Sequence, residues 1–369
     1  MTSSKPGRVN LLTARTRLMS ERGAIGEPRR MVSAFDPAAD ELGLLDLYIS
    51  LKAKPIALLR GPAGSGKLVA CRYLARELTV GAPLAFQEMI GHAWSAAGSP
   101  GIALLTEAQS RFNAEKLRAL VEEARDRQNH KHVYAALLAR ISPAELDLLS
   151  ELASETHRGG SHSMDDRNPG RPQLLPRNVL LLATLDGVGR NRWDTDLMAC
   201  ASIITWPGRR GDESSTRVGR SITRLNEVDF VRSAIRHPKP ALRRLRRFNG
   251  WHTASLRPLY ATWRILEAYG LPETRRTLGE ALIYIANAWM PDGSGIFDRS
   301  FPGNIWRALD FALVSTVLPR LEAWDGPVDK VADDLAPVLR HRYLRMARSL
   351  DWLVDASGVS RYTVQVAMT

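Results

Sequence analysis

The sequence predicts an α/β protein: a parallel β-sheet with helices on both faces, followed by a helical second half. Three observations lead there. A short apolar run, Pro55–Arg60, feeds a glycine-rich turn and then an amphipathic stretch from Leu68 to Leu78. Two further runs, Ile102–Leu105 and Val179–Ala183, are apolar without alternation, as strands covered on both faces are. After Trp206-Pro207 the sheet pattern ends and helical spacing takes over.

Each element can be justified in turn. Residues 1–39 carry scattered charge, glycine and proline and read as a basic N-terminal arm. From Asp40 to Leu51 the positions Leu42, Leu44, Leu45, Tyr48 and Leu51 recur at helical spacing. Pro55–Arg60 suits a buried parallel strand, and Leu68–Leu78 a helix with Leu68, Val69, Ala70, Leu74, Ala75 and Leu78 as its apolar positions. Ile102–Leu105 is predicted as a strand, with Phe112–Leu120 as the helix after it. Residues 128–177 form a polar insertion with a helical start and a loose middle, His157-Arg-Gly-Gly-Ser-His-Ser. Its two histidines lack a cysteine or carboxylate at ligand spacing, so a solvated loop is the better reading than a metal site. Val179–Ala183 is the next strand. Together these predict an α/β core over 40–213, a helical region over 214–325 and a helical C-terminus over 326–369.

Composition sets the boundaries of function. The 369 residues suffice for two or three domains, and 51 Lys and Arg against 39 Asp and Glu give a net charge of +12. A basic surplus of that size points to phosphate, in nucleic acid or at an anionic surface, unless it merely mirrors an Arg-rich proteome. The two cysteines, Cys71 and Cys200, have no metal-ligand spacing and no disulfide framework. Residues 1–30 lack an apolar signal core, and no apolar run approaches membrane-spanning length. The expected location is the cytoplasm, with no membrane partner.

The sharpest motif is Gly61-Pro62-Ala63-Gly64-Ser65-Gly66-Lys67, which matches the G-x-x-x-x-G-K of a Walker A loop. Glycines let successive backbone N–H groups turn inward around phosphate, and a helix starting at Lys67 would aim its positive end there. These seven residues and Leu68 are the candidate nucleotide-binding set, with ATP as the expected cofactor. Leu68 stands where Ser or Thr would ligate Mg²⁺, and an aliphatic chain cannot do so.

From these residues onward the chain resembles the AAA+ module of bacterial enhancer-binding proteins, the activators of sigma-54 RNA polymerase. Glu88-Met-Ile-Gly91-His92 is similar to the family's E-L-F-G-H stretch. Ala93–Ala97 stands at the GAFTGA loop that touches sigma-54, but its glycines are missing and it is shortened, which argues against that contact. Gly101–Gln109 resembles the Walker B strand, which implies a metal-shell role for Thr106, in place of Asp, and a catalytic role for Glu107. Asn178–Leu185 resembles the sensor-1 strand, with Leu185 in place of the polar sensor. Asp194–Ala201 aligns with the arginine-finger segment and has neither finger, although Arg190 and Arg192 lie close by. Ile203–Glu213, with Pro207-Gly-Arg-Arg, resembles the exit strand and its loop. Phe301-Pro-Gly-Asn-Ile305 resembles the opening of the sensor-2 helix, with Arg307 as the candidate nucleotide contact, one residue beyond the family's arginine. The resemblance implies assembly into a homo- or hetero-oligomeric ring.

Near the C-terminus, Leu353–Val364 resembles the turn of a helix-turn-helix, which implies DNA contacts from Ser360, Arg361, Tyr362 and Gln365. The cluster Arg243–Arg247 fits phosphate binding or a solvated helix face. Two functional readings are compatible with these residues. One is an ATP-binding regulator acting on DNA and transcription, a pseudo-ATPase whose magnesium, sensor and finger positions have lost their groups. The other is an active remodelling ATPase of the MoxR or McrB type, working with a partner protein.

Overall fold

The computed structural model of the protein describes residues 41–79, 85–90, 100–141, 149, 175–186, 193–206, 227–248, 253–290, 292–298, 300–339 and 342–356. In chain order the elements are α1 (Glu41–Ala53), β1 (Ile56–Gly61), α2 (Lys67–Leu78), β2 (Phe86–Ile90), α3 (Pro100–Arg125), β3 (Tyr134–Ala139), β4 (Val179–Asp186), α4 (Thr195–Cys200) and β5 (Ala201–Thr205). The helical part continues with α5 (Glu227–Ser233), α6 (Pro238–Arg247), α7 (Arg257–Ala268), α8 (Thr274–Asn287), α9 (Phe301–Thr316), α10 (Leu318–Ala323), α11 (Val328–Leu339) and α12 (Leu344–Ala356).

The five strands form one sheet in the order β2-β3-β4-β1-β5, and every pairing in it is parallel. Burial explains the unbroken apolar runs. Ala57 and Leu59 of β1 face one core with Leu180, Leu182, Ala135 and Leu137, while Ile56 and Leu58 face a second core with Leu181, Ala183, Tyr134 and Ala136. Successive side chains point to opposite faces, so a strand covered on both sides has no polar position to spare. Helices α1 and α2 cover the first face; α3, through Leu120 and Ala124, covers the second.

The expected strands at Pro55–Arg60 and Val179–Ala183 and the helix Leu68–Leu78 are present as β1, β4 and α2. Two expectations need correction. Ile102–Leu105 is no strand: it lies within the 26-residue helix α3. Conversely, the segment from residue 128, expected to start as a helix inside an insertion, begins with a single 3-10 turn at Arg127–Asn129 and then becomes β3, an inner strand of the sheet. Tyr-Ala-Ala-Leu-Leu-Ala has the composition of a helix, and only its place between β2 and β4 makes it extended. Asn178 holds the entry to β4 by donating from Nδ2 to the carbonyls of Ala124, Asn129 and His132.

The helical half shares the first core. Leu245, Leu282, Leu309, Val331 and Leu350 belong to the same buried cluster as Ala57 and Leu59. Two buried ionic groups cross between the halves. Glu280 on α8 pairs with Lys54, which follows α1, at 2.9 Å and with Arg320 on α10 at 2.9 Å. Burial works to raise the Glu280 carboxyl, but Lys54 and Arg320 outweigh it and hold it below its ordinary value. Arg60, the residue before the last of β1, forms a two-pronged pair with Glu322 on α10. Glu322 also accepts from Trp193 Nε1 at 2.8 Å.

The Phe301-Pro-Gly-Asn304-Ile stretch opens α9, with Ser300 as its N-cap. Asn304 is fully buried: its Oδ1 accepts from the backbone of Phe297 and Asp298, and its Nδ2 donates to Ala288 O at 3.0 Å. The motif therefore ties the turn after α8 to the start of α9.

Candidate phosphate-binding site

The glycine loop lies between the C-terminal end of β1 and the first turn of α2. Gly61 is needed for a close approach: a Cβ there would sit 2.2 Å from the carbonyl oxygen of Trp206. Gly64 and Gly66 have φ of 75° and 86°, the left-handed region where a Cβ is unfavourable. Gly66 is the N-cap of α2 and supplies no side-chain cap. The helix thus begins with backbone N–H groups that no side chain satisfies, the arrangement that binds anions at helix N-termini. Trp206 fixes the loop from outside, its N–H bonding Arg60 O at 2.7 Å and its Nε1 bonding Ser65 O at 2.9 Å. The Ser65 hydroxyl is buried and has no hydrogen-bond partner among the described residues.

Parallel register aligns the strand ends at this edge. Gly61 sits opposite Asp186, and Leu138 opposite Ala183. Lys67 Nζ donates to Asp186 Oδ1 at 2.5 Å, to Pro62 O at 2.8 Å and to Gly61 O at 3.1 Å. All three ammonium protons thus have an acceptor. On the other side of Asp186, Arg140 Nε stands 3.9 Å from Oδ2. Arg140 directly follows β3 and adopts φ of 59°, a left-handed conformation uncommon outside glycine. Its backbone N–H bonds Thr184 Oγ1 at 2.8 Å, and Ile141 N–H bonds Thr184 O at the same distance.

Of the sequence-predicted residues, the structure brings together Gly61, Pro62, Ala63, Gly64, Ser65, Gly66, Lys67 and Leu68 as one loop and helix start. Leu68 packs against the hydrophobic core. Thr106 and Glu107 lie in mid-α3 rather than at a strand end, so the Walker B geometry inferred for them does not follow from this fold. The strand ends at the loop's edge are those of β3, Ala139-Arg140, and of β4, Leu185-Asp186. Arg307 lies on α9 and is exposed. Within Arg243–Arg247, on α6, Arg244 is spent on Ser233 O and Trp289 O, whereas Arg243, Arg246 and Arg247 are exposed. Residues 1–39, 91–97, 157–163, 190, 192 and 207–213 and the DNA-contact candidates Ser360, Arg361, Tyr362 and Gln365 lie outside the described residues.

Asp186, Arg140 and Trp206 are the residues that sequence reasoning missed. Asp186 had a signal: Val179-Leu-Leu-Leu-Ala-Thr-Leu-Asp186 is an apolar run closed by one acid. Arg140 had none, because β3 itself was not recognised.

The cradle fits phosphate: two left-handed glycines, an uncapped helix start, an orphan Ser65 hydroxyl and an ammonium group at one edge. For a divalent cation the side chains here offer less: Leu68 and Ala139 have no oxygen, and the Asp186 carboxylate is engaged by Lys67. Among the described residues there is no group of three or more His, Cys, Asp or Glu side chains placed to hold a metal. A parallel five-stranded sheet flanked by helices, with this loop after β1, is an α/β architecture of the general P-loop NTPase kind. Comparison with protein-family models and with curated proteins finds no match for this chain. No helix among the described residues is long and apolar enough to cross a membrane.

Proposed function

We propose that the protein is an ATP-binding regulator of the AAA+ class, acting on DNA, in which the nucleotide serves as a structural ligand and hydrolysis is weak or lost. The observation that carries the nucleotide part is the Gly61–Lys67 loop, seated between β1 and α2 with Lys67 at the sheet edge beside Asp186. The AAA+ assignment rests on the sequence resemblance and is compatible with the strand order β2-β3-β4-β1-β5. Weak hydrolysis is supported by what lies at the strand ends. β3 ends at Ala139 with Arg140 directly after it, and Leu68 packs inward, so neither position supplies an oxygen to a metal or an attacking water. The DNA part rests on the net charge of +12 and on the resemblance of Leu353–Val364 to a helix-turn-helix. A ring built from copies of this chain, or with related subunits, is part of the same proposal.

The test is ATP binding and turnover measured side by side on the protein and on Lys67→Ala. We expect binding that the variant loses, with turnover at or near background in both. Sustained turnover that Lys67→Ala abolishes would overturn the structural-ligand reading and favour a remodelling ATPase. For the DNA part, removal of residues 351–369 is expected to abolish duplex binding. Unchanged binding would refute that turn as the reader.

A further inference from the structure

Resting on the nucleotide reading above, we propose that the site takes ATP as the free, metal-less anion, with Arg140 standing in for the divalent cation. Three features at the sheet edge support this. First, two of the described positions flanking the loop offer no oxygen side chain to a hard cation: Leu68, at the start of α2, packs on the core, and β3 ends in Ala139. Second, a cation already stands beside Asp186. Arg140 lies 3.9 Å from Asp186 Oδ2, and its backbone is held in the left-handed region by two hydrogen bonds to Thr184. Such a conformation is unfavourable in a residue with a side chain and persists where the surroundings over-determine it. Third, both oxygens of the Asp186 carboxylate already face a cation before nucleotide arrives, Lys67 at Oδ1 and Arg140 at Oδ2.

The exchange on binding follows from these contacts. Lys67 leaves Asp186 for the phosphates, since its ammonium has no proton without an acceptor. Asp186 would then repel the incoming anion unless its charge is compensated. Arg140, already beside the other carboxylate oxygen and with a side chain 62 % exposed, can close on Asp186 and reach outward to phosphate with its remaining donors. A guanidinium does for phosphate charge here what Mg²⁺ does elsewhere.

The experiment is calorimetric titration of the full chain with ATP, once in excess Mg²⁺ and once in excess EDTA, for the protein and for Arg140→Ala, Asp186→Asn and Lys67→Ala. The expected result is an affinity in EDTA equal to or tighter than that in Mg²⁺. Arg140→Ala should weaken binding in EDTA about tenfold, equivalent to about 1.4 kcal/mol, and Asp186→Asn should tighten it in both buffers. Binding at least tenfold weaker in EDTA than in Mg²⁺ would overturn the proposal while leaving the nucleotide reading intact. So would EDTA binding indifferent to Arg140→Ala. Binding in neither buffer, with the protein no different from Lys67→Ala, would remove the nucleotide reading and this proposal with it. Circular dichroism of Arg140→Ala separates lost binding from lost folding, and Arg140→Lys, which keeps the charge, should recover part of the affinity.

Discussion

Glu322 on α10 closes a two-pronged ion pair with Arg60 on β1, the residue that immediately precedes the glycine loop. Both side chains are buried, and Trp193 Nε1 and Thr205 Oγ1 complete the group. The phosphate loop therefore hangs from a strand whose last turn of chain is anchored in the helical half. Breaking one side of a buried pair leaves the other charge unpaired, at a cost of about 3–5 kcal/mol. We expect Glu322→Ala to lose about that much in urea unfolding. The double variant Arg60→Met with Glu322→Leu should recover most of it, because it removes both charges together.

The Glu280 group predicts an acid limb. Its folded carboxyl lies below its ordinary value, which is about 4.3 in an unfolded chain. The stabilisation is complete above that value and is lost as pH falls through the lower folded value. The melting temperature of the protein should therefore fall as pH drops below about 4.3, the ordinary carboxyl value. Glu280→Gln should be less stable at neutral pH by about 3–5 kcal/mol, since Lys54 and Arg320 then share no carboxylate. Its melting temperature should also vary less with pH in that acid window.

Two glycines of the loop should respond unequally to alanine. At Gly61 the new methyl group meets the Trp206 carbonyl at 2.2 Å, so backbone must move, at a cost of about 1–3 kcal/mol or more. At Gly64 there is open space and only the φ of 75° is penalised, by about 1 kcal/mol. Denaturant midpoints should rank the protein, then Gly64→Ala, then Gly61→Ala.

Asn304 bridges three backbone groups from a fully buried position. Asn304→Ala strands the Phe297 and Asp298 N–H groups, each unsatisfied group costing about 1–3 kcal/mol if water cannot reach it, whereas the Ala288 carbonyl keeps its bond from the Ile296 N–H. Hydrogen exchange should show early loss of protection at Phe297 and Asp298, while β1 and β4 stay protected.

Cys71 sits on α2 with no exposure, and burial pushes its thiol well above the ordinary range. Native protein should leave it unmodified by a thiol reagent near neutral pH, and unfolding should release it. Fast labelling of Cys71 in the native protein would mean that α2 does not pack as described.

Some of this was legible in residues 55–78 alone. The apolar run, the glycine spacing and the periodicity to Leu78 specify strand, loop and helix locally, because each uses a backbone preference that neighbours in sequence can enforce. Val179–Asp186 was legible for the same reason, though its closing acid was passed over. Ile102–Leu105 reads as a strand but lies in a helix, and Tyr134–Ala139 is a strand inside a stretch that reads as a polar insertion with a helical start. Short Ala- and Leu-rich runs carry no period, so their state is set by what packs on them.

What the sequence by itself determined is the loop Gly61–Lys67 and the two β-strands closest to it, where glycine geometry and unbroken apolarity leave few alternatives. Only the tertiary structure decided which acid faces Lys67, which strand ends beside Arg140, and that Glu322 and Glu280 hold the helical half to the sheet. Lys67–Asp186, Lys54–Glu280 and Arg60–Glu322 join residues 119, 226 and 262 positions apart. A side chain's partner at such a separation depends on the register of a parallel sheet and the burial of a helix, neither of which is encoded near either residue.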